Sequence, residues 1–258
     1  MPSLPVLALL VFAAGLAGFV DAAVGGGGLI QLPALLLAVP GQPIPTLLGT
    51  NKAVSVTGTT FAAAQFLRSR VLPWREMVAP VFAALAGSAA GVAVAYFVQG
   101  RFDAYSRPLI VFLMVAMLGF TLLRPDLGRL HAPRFGLQHQ RALAVAIGGV
   151  MGFYDGFFGP GMGTLLIFLF VAILGFDFLR ASALAKSVNW ASNAAAVVLF
   201  LSQGSWLPAV ALCMAVANGL GGFLGARTAL AKGNRWLRLV FIAVVSLLTL
   251  RLGWQVLH

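Results

Sequence analysis

Residues 18–28 read Gly18-Phe19-Val20-Asp21-Ala22-Ala23-Val24-Gly25-Gly26-Gly27-Gly28: a carboxylate near the end of an apolar run, then four glycines in succession. The run before the glycines reaches back to Leu4, and another, Leu29–Val39, follows at once. Crossing a hydrocarbon core about 30 Å thick takes about 20 apolar residues in a helix. Leu29–Val39 would cover only roughly 16 Å. The stretch therefore reads as a helix, a glycine break and a half-length helix, with an acid at the break. Backbone of that kind is tolerated at membrane depth only where protein buries it or it lines a cavity.

Working outward, apolar runs recur at Leu47–Leu67, Met77–Val98, Leu109–Leu123, Ala142–Phe158, Thr164–Leu174, Ala181–Leu201, Leu207–Leu230 and Leu237–Leu257. Hydrophobic residues make up 60% of the 258 and charged ones 9%, against about 25% charged in a soluble domain; mean hydropathy is +0.98. The expected class is an all-α, polytopic membrane protein of about 8–10 hydrophobic helical segments, with broken or half helices after Asp21 and Asp155. The net charge of +11 sits in short loops between apolar runs. That is the pattern of membrane topogenesis, and it argues against nucleic acid as a partner. The first run has no basic segment before it and reads as a retained helix and not a signal peptide. The single cysteine, Cys213, is expected to be buried apolar filler.

The opening motif returns later in the chain as Gly152-Phe153-Tyr154-Asp155. The shift that carries Asp21 onto Asp155 also carries, without gaps, Gly25 onto Gly159, Gly27 onto Gly161, Lys52 onto Lys186, Phe66-Leu67 onto Phe200-Leu201, and the Gly87/Gly91 pair onto Gly221/Gly225. Intramembrane Asp and Lys are rare, so a common register between them marks a duplication: repeat 1 over residues 1–123, a basic linker over 124–141, and repeat 2 over 142–258. If the broken element of each half makes an even number of crossings, the halves are inverted. The basic residues of the loops then divide 12 to 2, with only Arg101 and Arg107 on the poorer side. A parallel arrangement divides them 7 to 7. The positive-inside bias selects the inverted arrangement, with the N-terminus outside and the 124–141 linker in the cytoplasm.

An Asp or Lys at the centre of a lipid-exposed helix costs about 2.5–3.5 kcal/mol, so Asp21, Asp155, Lys52 and Lys186 together would cost about 10–14 kcal/mol if isolated. They must pair, face a cavity or bind a ligand. Lys52, Ser55 and Thr59 share one helix face, as do Lys186, Asn189 and Asn193. Glycine backbone at the start of a half helix offers amides and a dipole that favour an anion, with a lysine of the same half to add charge. The expected binding set is Gly25, Gly26, Gly27, Gly28, Asn51, Lys52, Gly159, Gly161, Gly163, Lys186, Asn189 and Asn193. Asp21 and Asp155 are either counter-ions to the lysines or carriers of a coupling proton, and the lysines are either structural or in contact with substrate. Gly87/Gly91 and Gly221/Gly225 are small-xxx-small pairs suited to helix packing. No catalytic residue, cofactor or metal is implied: His131, His139 and His258 all lie in the linker or at the C-terminus.

Gly18-Phe19-x-Asp21 with Gly25–Gly28, Pro33 and Thr50-Asn51-Lys52 resembles the TauE/SafE family of sulfite and organosulfonate exporters. Gly152–Pro160 with Ala185-Lys186 and Ser192-Asn193 is similar to its YfcA-type branch. The resemblance implies a bacterial inner-membrane permease, not an enzyme, that moves small sulfur-containing anions. Gly-Pro-Gly-Met stands in the second half where the first has four glycines, so the halves are expected to contribute unequally. The partners implied are a small anionic substrate and the lipid bilayer; a homodimer is compatible with the sequence. The alternatives are a carrier of another small solute or a cation, and a non-transporting membrane assembly or sensor protein.

Overall fold

The computed structural model describes residues 2–39, 41–98 and 131–257. Arg101 and Arg107, the run Leu109–Leu123, and the linker up to residue 130 lie outside the described residues.

Eight helices account for most of what is described: α1 (Leu4–Val24), α2 (Gly28–Ala38), α3 (Ile44–Arg68), α4 (Trp74–Val98), α5 (Leu137–Phe157), α6 (Met162–Ala172), α7 (Phe178–Ser202) and α8 (Pro208–Leu257), the last interrupted at Gly233 (φ 71°). Helix α5 thus starts inside the segment read as linker. Among the described residues, four stretches are long and apolar enough to cross a membrane: Leu4–Val24, Trp74–Phe97, Phe178–Ser202 and Pro208–Leu237. Helices α3 and α5 match them in length but are more polar. The former holds Thr50, Asn51, Lys52, Ser55 and Thr59, the latter opens with Gln138, His139, Gln140 and Arg141.

The outer face of the helices is apolar, and polar side chains gather inside an otherwise apolar core. Leu212, Val216, Leu220 and Leu224 form an exposed stripe at every fourth residue of α8, while Gln31, Thr50, Asn51, Lys52, Asp155, Lys186, Ser192, Asn193 and Asn218 are buried. Solvation by hydrocarbon inverts the usual partition, because polar groups gain by leaving lipid. Cys213 lies on the exposed face and is not buried. An outward apolar position suits a thiol as well as an inward one when the surroundings are lipid.

Contacts between helices fix their directions. Along α1 and α8, Gly15 meets Ala217, Gly18 meets Asn218 and Phe19 meets Gly225, so the two run the same way. Thr57 with Ala215, Gly58 with Asn218 and Gln65 with Phe223 align α3 with α8. Pro80 with Gly148 and Ala84 with Gly152 align α4 with α5. Met77 with Ser187 and Ser88 with Ser192 align α7 with α4. Helix α7 runs against α3, for Gly49 meets Phe200 whereas Thr60 meets Trp190. Two opposed sets result: α1, α3 and the part of α8 before Gly233 in one direction, α4, α5 and α7 in the other. The shift that maps Asp21 onto Asp155 takes α1 to α5, α3 to α7 and α4 to α8, and each move changes set.

The contacts exchange under that shift as well. Gly18 abuts Asn218 and Gly152 abuts Ala84, so close that a β-carbon on Gly152 would fall 2.5 Å from the Ala84 carbonyl oxygen. Gly87 and Gly91 pack on α5, Gly221 and Gly225 on α1, at matching positions. The first helix of each half thus packs on the other half's later helix.

Helix α2 folds back along α1. Leu29 shares an apolar cluster with Ala22, Ala23 and Val24, while Leu32 and Leu35 share one with Leu10 and Ala14. At eleven residues, α2 and α6 are both half-length.

Candidate functional site

Helix α1 ends at Gly25, whose φ of 88° is open to glycine at little cost. Its N–H donates to the carbonyls of Asp21 and Val20. The second break carries two such residues, Gly159 (φ 96°) and Gly161 (φ 81°), and the Tyr154 hydroxyl donates to the Pro160 carbonyl at 2.6 Å. The two breaks touch: a β-carbon on Gly163 would lie 2.7 Å from Gly25 Cα, and one on Gly28 would lie 3.5 Å from Pro160 Cα.

Two ion pairs flank this crossing, and both run between halves. Lys52 Nζ on α3 lies 2.5 Å from Asp155 Oδ1 at the end of α5, with both side chains 3% exposed. Lys186 Nζ on α7 lies 3.8 Å from Asp21 Oδ2, with exposures of 0% and 16%. Each lysine therefore serves the glycine break of the opposite half, and not of its own half as the sequence had suggested. The first helix of each half packs on the other half, and this carries its carboxylate across. Removing two opposite charges from water together is affordable only with further hydrogen bonds. The structure supplies them: Ser192 Oγ donates to Asp155 Oδ2 at 2.6 Å, Asn189 Nδ2 to Asp21 Oδ2 at 3.4 Å, and the Gly27 N–H to Asp21 Oδ1 at 3.3 Å. Lys186 also donates to the main-chain carbonyl of Asp21.

Between the pairs lies a small polar cavity lined by Asp21, Gly25, Gly28, Asn51, Lys52, Ser55, Asp155, Gly159, Gly161, Met162, Gly163, Asn189 and Asn193. About 20 Å³ of it is open to the centre of a water molecule. One water needs about 10–15 Å³ by that measure, so a tetrahedral oxyanion enters only with movement of the walls.

Most residues expected at a site converge here, and three do not. Gly26 is buried in the turn that starts α2, and its carbonyl accepts from the Leu29 N–H. Gly27 faces an adjoining cavity. Lys186 stands behind Asp21, fully buried. The amides are also less available than glycine backbone alone suggests: the N–H groups of Gly25, Gly27 and Gly159 already donate to α1 carbonyls, the Asp21 carboxylate and the Tyr154 carbonyl respectively.

A second polar network escaped the sequence reading. Gln31 Nε2 on α2 donates to Asn51 Oδ1 at 2.8 Å, and Gln31 Oε1 accepts from Asn218 Nδ2 at 3.0 Å. Asn218 also donates to the Ala14 carbonyl and accepts from the Gly58 N–H. These bonds tie α1, α2, α3 and α8 together. The equivalent positions in the other half are Leu165, Ala185 and Ala84, so the second half has no such network. The available signal was a lone amide inside each apolar run, which must find a partner at membrane depth. Thr164, fully buried beside Gly163, keeps its hydroxyl without a hydrogen-bond partner.

A family model described as "Sulfite exporter TauE/SafE" matches residues 10–252. The chain is 33% identical to "Probable membrane transporter protein YfcA" of Escherichia coli (strain K12), over 98% of this chain and 93% of that protein. It is 35% identical to a "Probable membrane transporter protein" of Haemophilus influenzae, over 96% of both. It is 34% identical to "Probable membrane transporter protein ORF9" of Sinorhizobium sp, over 95% of this chain and 92% of that protein. No solved structure matches it.

Proposed function

The chain belongs to the TauE/SafE family of membrane transporters, and on that premise we propose that it carries a small sulfur-containing anion, sulfite or an organosulfonate, out of the cell by alternating access. It is not an enzyme. The observation that carries this reading is the pair of crossed lysine–aspartate bridges around a polar cavity where two broken helices touch. Transporters built from inverted halves place their substrate at such a crossing. The opposed helix directions and exchanged contacts support two inverted copies, and the basic loops support an inner-membrane orientation with the 124–141 linker in the cytoplasm.

In this reading Lys52 supplies positive charge, Asn51, Asn189 and Asn193 hydrogen-bond the oxyanion, and Gly28, Gly161 and Gly163 let it approach the backbone. Rocking of one half against the other opens the cavity to each side in turn. The description of the family as sulfite exporters supports export and a sulfur oxyanion.

Thermal unfolding of the purified protein with sulfite, sulfate, thiosulfate, sulfoacetate, taurine, acetate and phosphate tests the reading. A ligand at about 100 times its Kd adds about 2.7 kcal/mol of stability. The expected result is a shift with a sulfur oxyanion that Lys52→Ala removes, matched by loss of flux in proteoliposomes. Transport unchanged in both Lys52→Ala and Lys186→Ala would refute the site.

A further inference from the structure

We infer that the anion enters this site together with one proton, held on Asp21, so that the carrier moves an electrically neutral pair. The inference rests on the anion reading above and starts from a charge count. Among the described residues, the ionisable groups at the cavity are Lys52, Asp21 and Asp155, with Lys186 directly behind Asp21. Two cations face two anions, so the site as built is neutral. A monoanion added to it meets no net positive charge, in surroundings that screen charge poorly. Protonating one carboxylate converts the set to a net charge of +1, matched to a monoanion. The carboxylate takes up the proton without any other bond being broken, and gives it back when the anion leaves.

Asp21 and Asp155 differ in ways that assign the proton to Asp21. Asp155 is locked: its oxygens hold Lys52 at 2.5 Å and the Ser192 hydroxyl at 2.6 Å, and Tyr154 beside it clamps the following loop through Pro160. Asp21 has the longer bridge, 3.8 Å, and the more exposed side chain, 16% against 3%. Lys186 also donates to the Asp21 main-chain carbonyl, so it keeps a partner when the carboxylate is neutralised.

Asp21 alone of the two also borders a second cavity. This one is lined by Gly27, Ser55, Thr59 and Asn218, with about 10 Å³ open to a water centre. The groups around Asp21 are accordingly Lys186 and Asn189 from α7, Ser55 and Thr59 from α3, Asn218 from α8 and the Gly27 amide, with Lys52 and Asp155 across the first cavity. Of these, Gly27, Thr59 and Asn218 line the second cavity and not the first, so the Asp21 carboxylate also has polar neighbours outside the cavity assigned to the anion. A neutral complex also makes transport insensitive to membrane potential, so export proceeds only where the outward anion gradient is steeper than the inward proton gradient.

The test uses the full-length protein in weakly buffered detergent with a pH indicator, and methanesulfonate and isethionate as probes, because neither changes charge between roughly pH 5 and 8. The expected result is uptake of about one proton per anion bound, with the apparent Kd weakening up to about tenfold per unit rise in pH. Asp21→Asn should bind the same probes with no proton uptake and no pH dependence. Infrared difference spectra identify the group without deleting a charge. A protonated-carboxyl band should appear on adding the anion, shift in Asp21→Glu and stay in place in Asp155→Glu. Anion binding with no proton uptake overturns the inference and leaves the anion reading standing; a band that moves only in Asp155→Glu overturns the assignment to Asp21. Failure of the probes and of every sulfur oxyanion to bind at any pH overturns the anion reading and this inference with it.

Discussion

Lys52 and Asp155 belong to opposite halves of the chain, yet their charged atoms lie 2.5 Å apart with both side chains buried. Removing one partner strands the other in a low-dielectric interior, at a cost of about 3–5 kcal/mol. Lys52→Met and Asp155→Leu should therefore each lower the thermal midpoint sharply, while the double variant should recover most of the loss and still fail to transport. Additive losses in this cycle would mean that the bridge is not a coupled pair.

Gly25 and Gly41 have nearly the same positive φ, 88° and 86°, but different surroundings. The first is pressed against Gly163, whereas nothing lies within 4 Å of a β-carbon at the second. Gly41→Ala should cost about 1 kcal/mol from backbone strain alone. Gly25→Ala adds a clash with backbone that cannot move aside, and should abolish folded protein in a detergent-stability assay. Equal tolerance at the two sites would contradict the close crossing.

Ser69 and Gln203 occupy equivalent positions in the two halves, and parallel halves would put them on the same side of the membrane. The opposed directions of α3 and α7 put them on opposite sides. In a Cys213→Ser background, Gln203→Cys should react with a membrane-impermeant maleimide in intact cells, and Ser69→Cys only after the cells are opened. Labelling of both from outside would refute inversion.

Asn218 satisfies both Gln31 and the Gly58 N–H. Asn218→Ala places there the residue that stands at the equivalent position 84, but leaves those partners unmet, at about 1–3 kcal/mol for each buried group. Gln31→Leu removes one of those partners but also the donor to Asn51 Oδ1, so it too should lower stability, and the losses of the two variants combined should be less than additive. Strictly additive losses would count against a direct bond between Gln31 and Asn218.

Thr164 gives the opposite sign. Its buried hydroxyl has no partner, so Thr164→Val should leave the midpoint unchanged or raise stability by up to about 1 kcal/mol. A clear loss would point to a bonded role for the hydroxyl.

Much of this was legible in the sequence. Asp21 ahead of four glycines gave a break and a half helix, and the structure has α2 there. The common register of Asp21/Asp155 and Lys52/Lys186 marked four groups that had to pair, face a cavity or bind a ligand, and the structure pairs them. Which acid meets which lysine was not legible, because a linear register cannot tell packing within a half from packing between halves; that depends on Gly18 and Gly152 admitting a helix of the other half. Gln31 and Asn218 were missed for a related reason. Each is a single amide in an apolar run, and its importance lies in a partner far away along the chain. Cys213 went astray because burial was inferred from apolar neighbours, and around a membrane helix apolar neighbours also mark the outer face.

The contact between Gly25 and Gly163 also bears on how alike the two halves can be. Under the shift that carries Asp21 onto Asp155 these two positions fall on Gly159 and Leu29, just as Gln31 and Asn218 fall on Leu165 and Ala84. The close main-chain approach therefore has no mirror image: a β-carbon at Gly159 would meet Lys52 and Asp155 instead. The crossing is lopsided about any axis that relates the halves, and beside it lie the unequal carboxylates and the one-sided amide network.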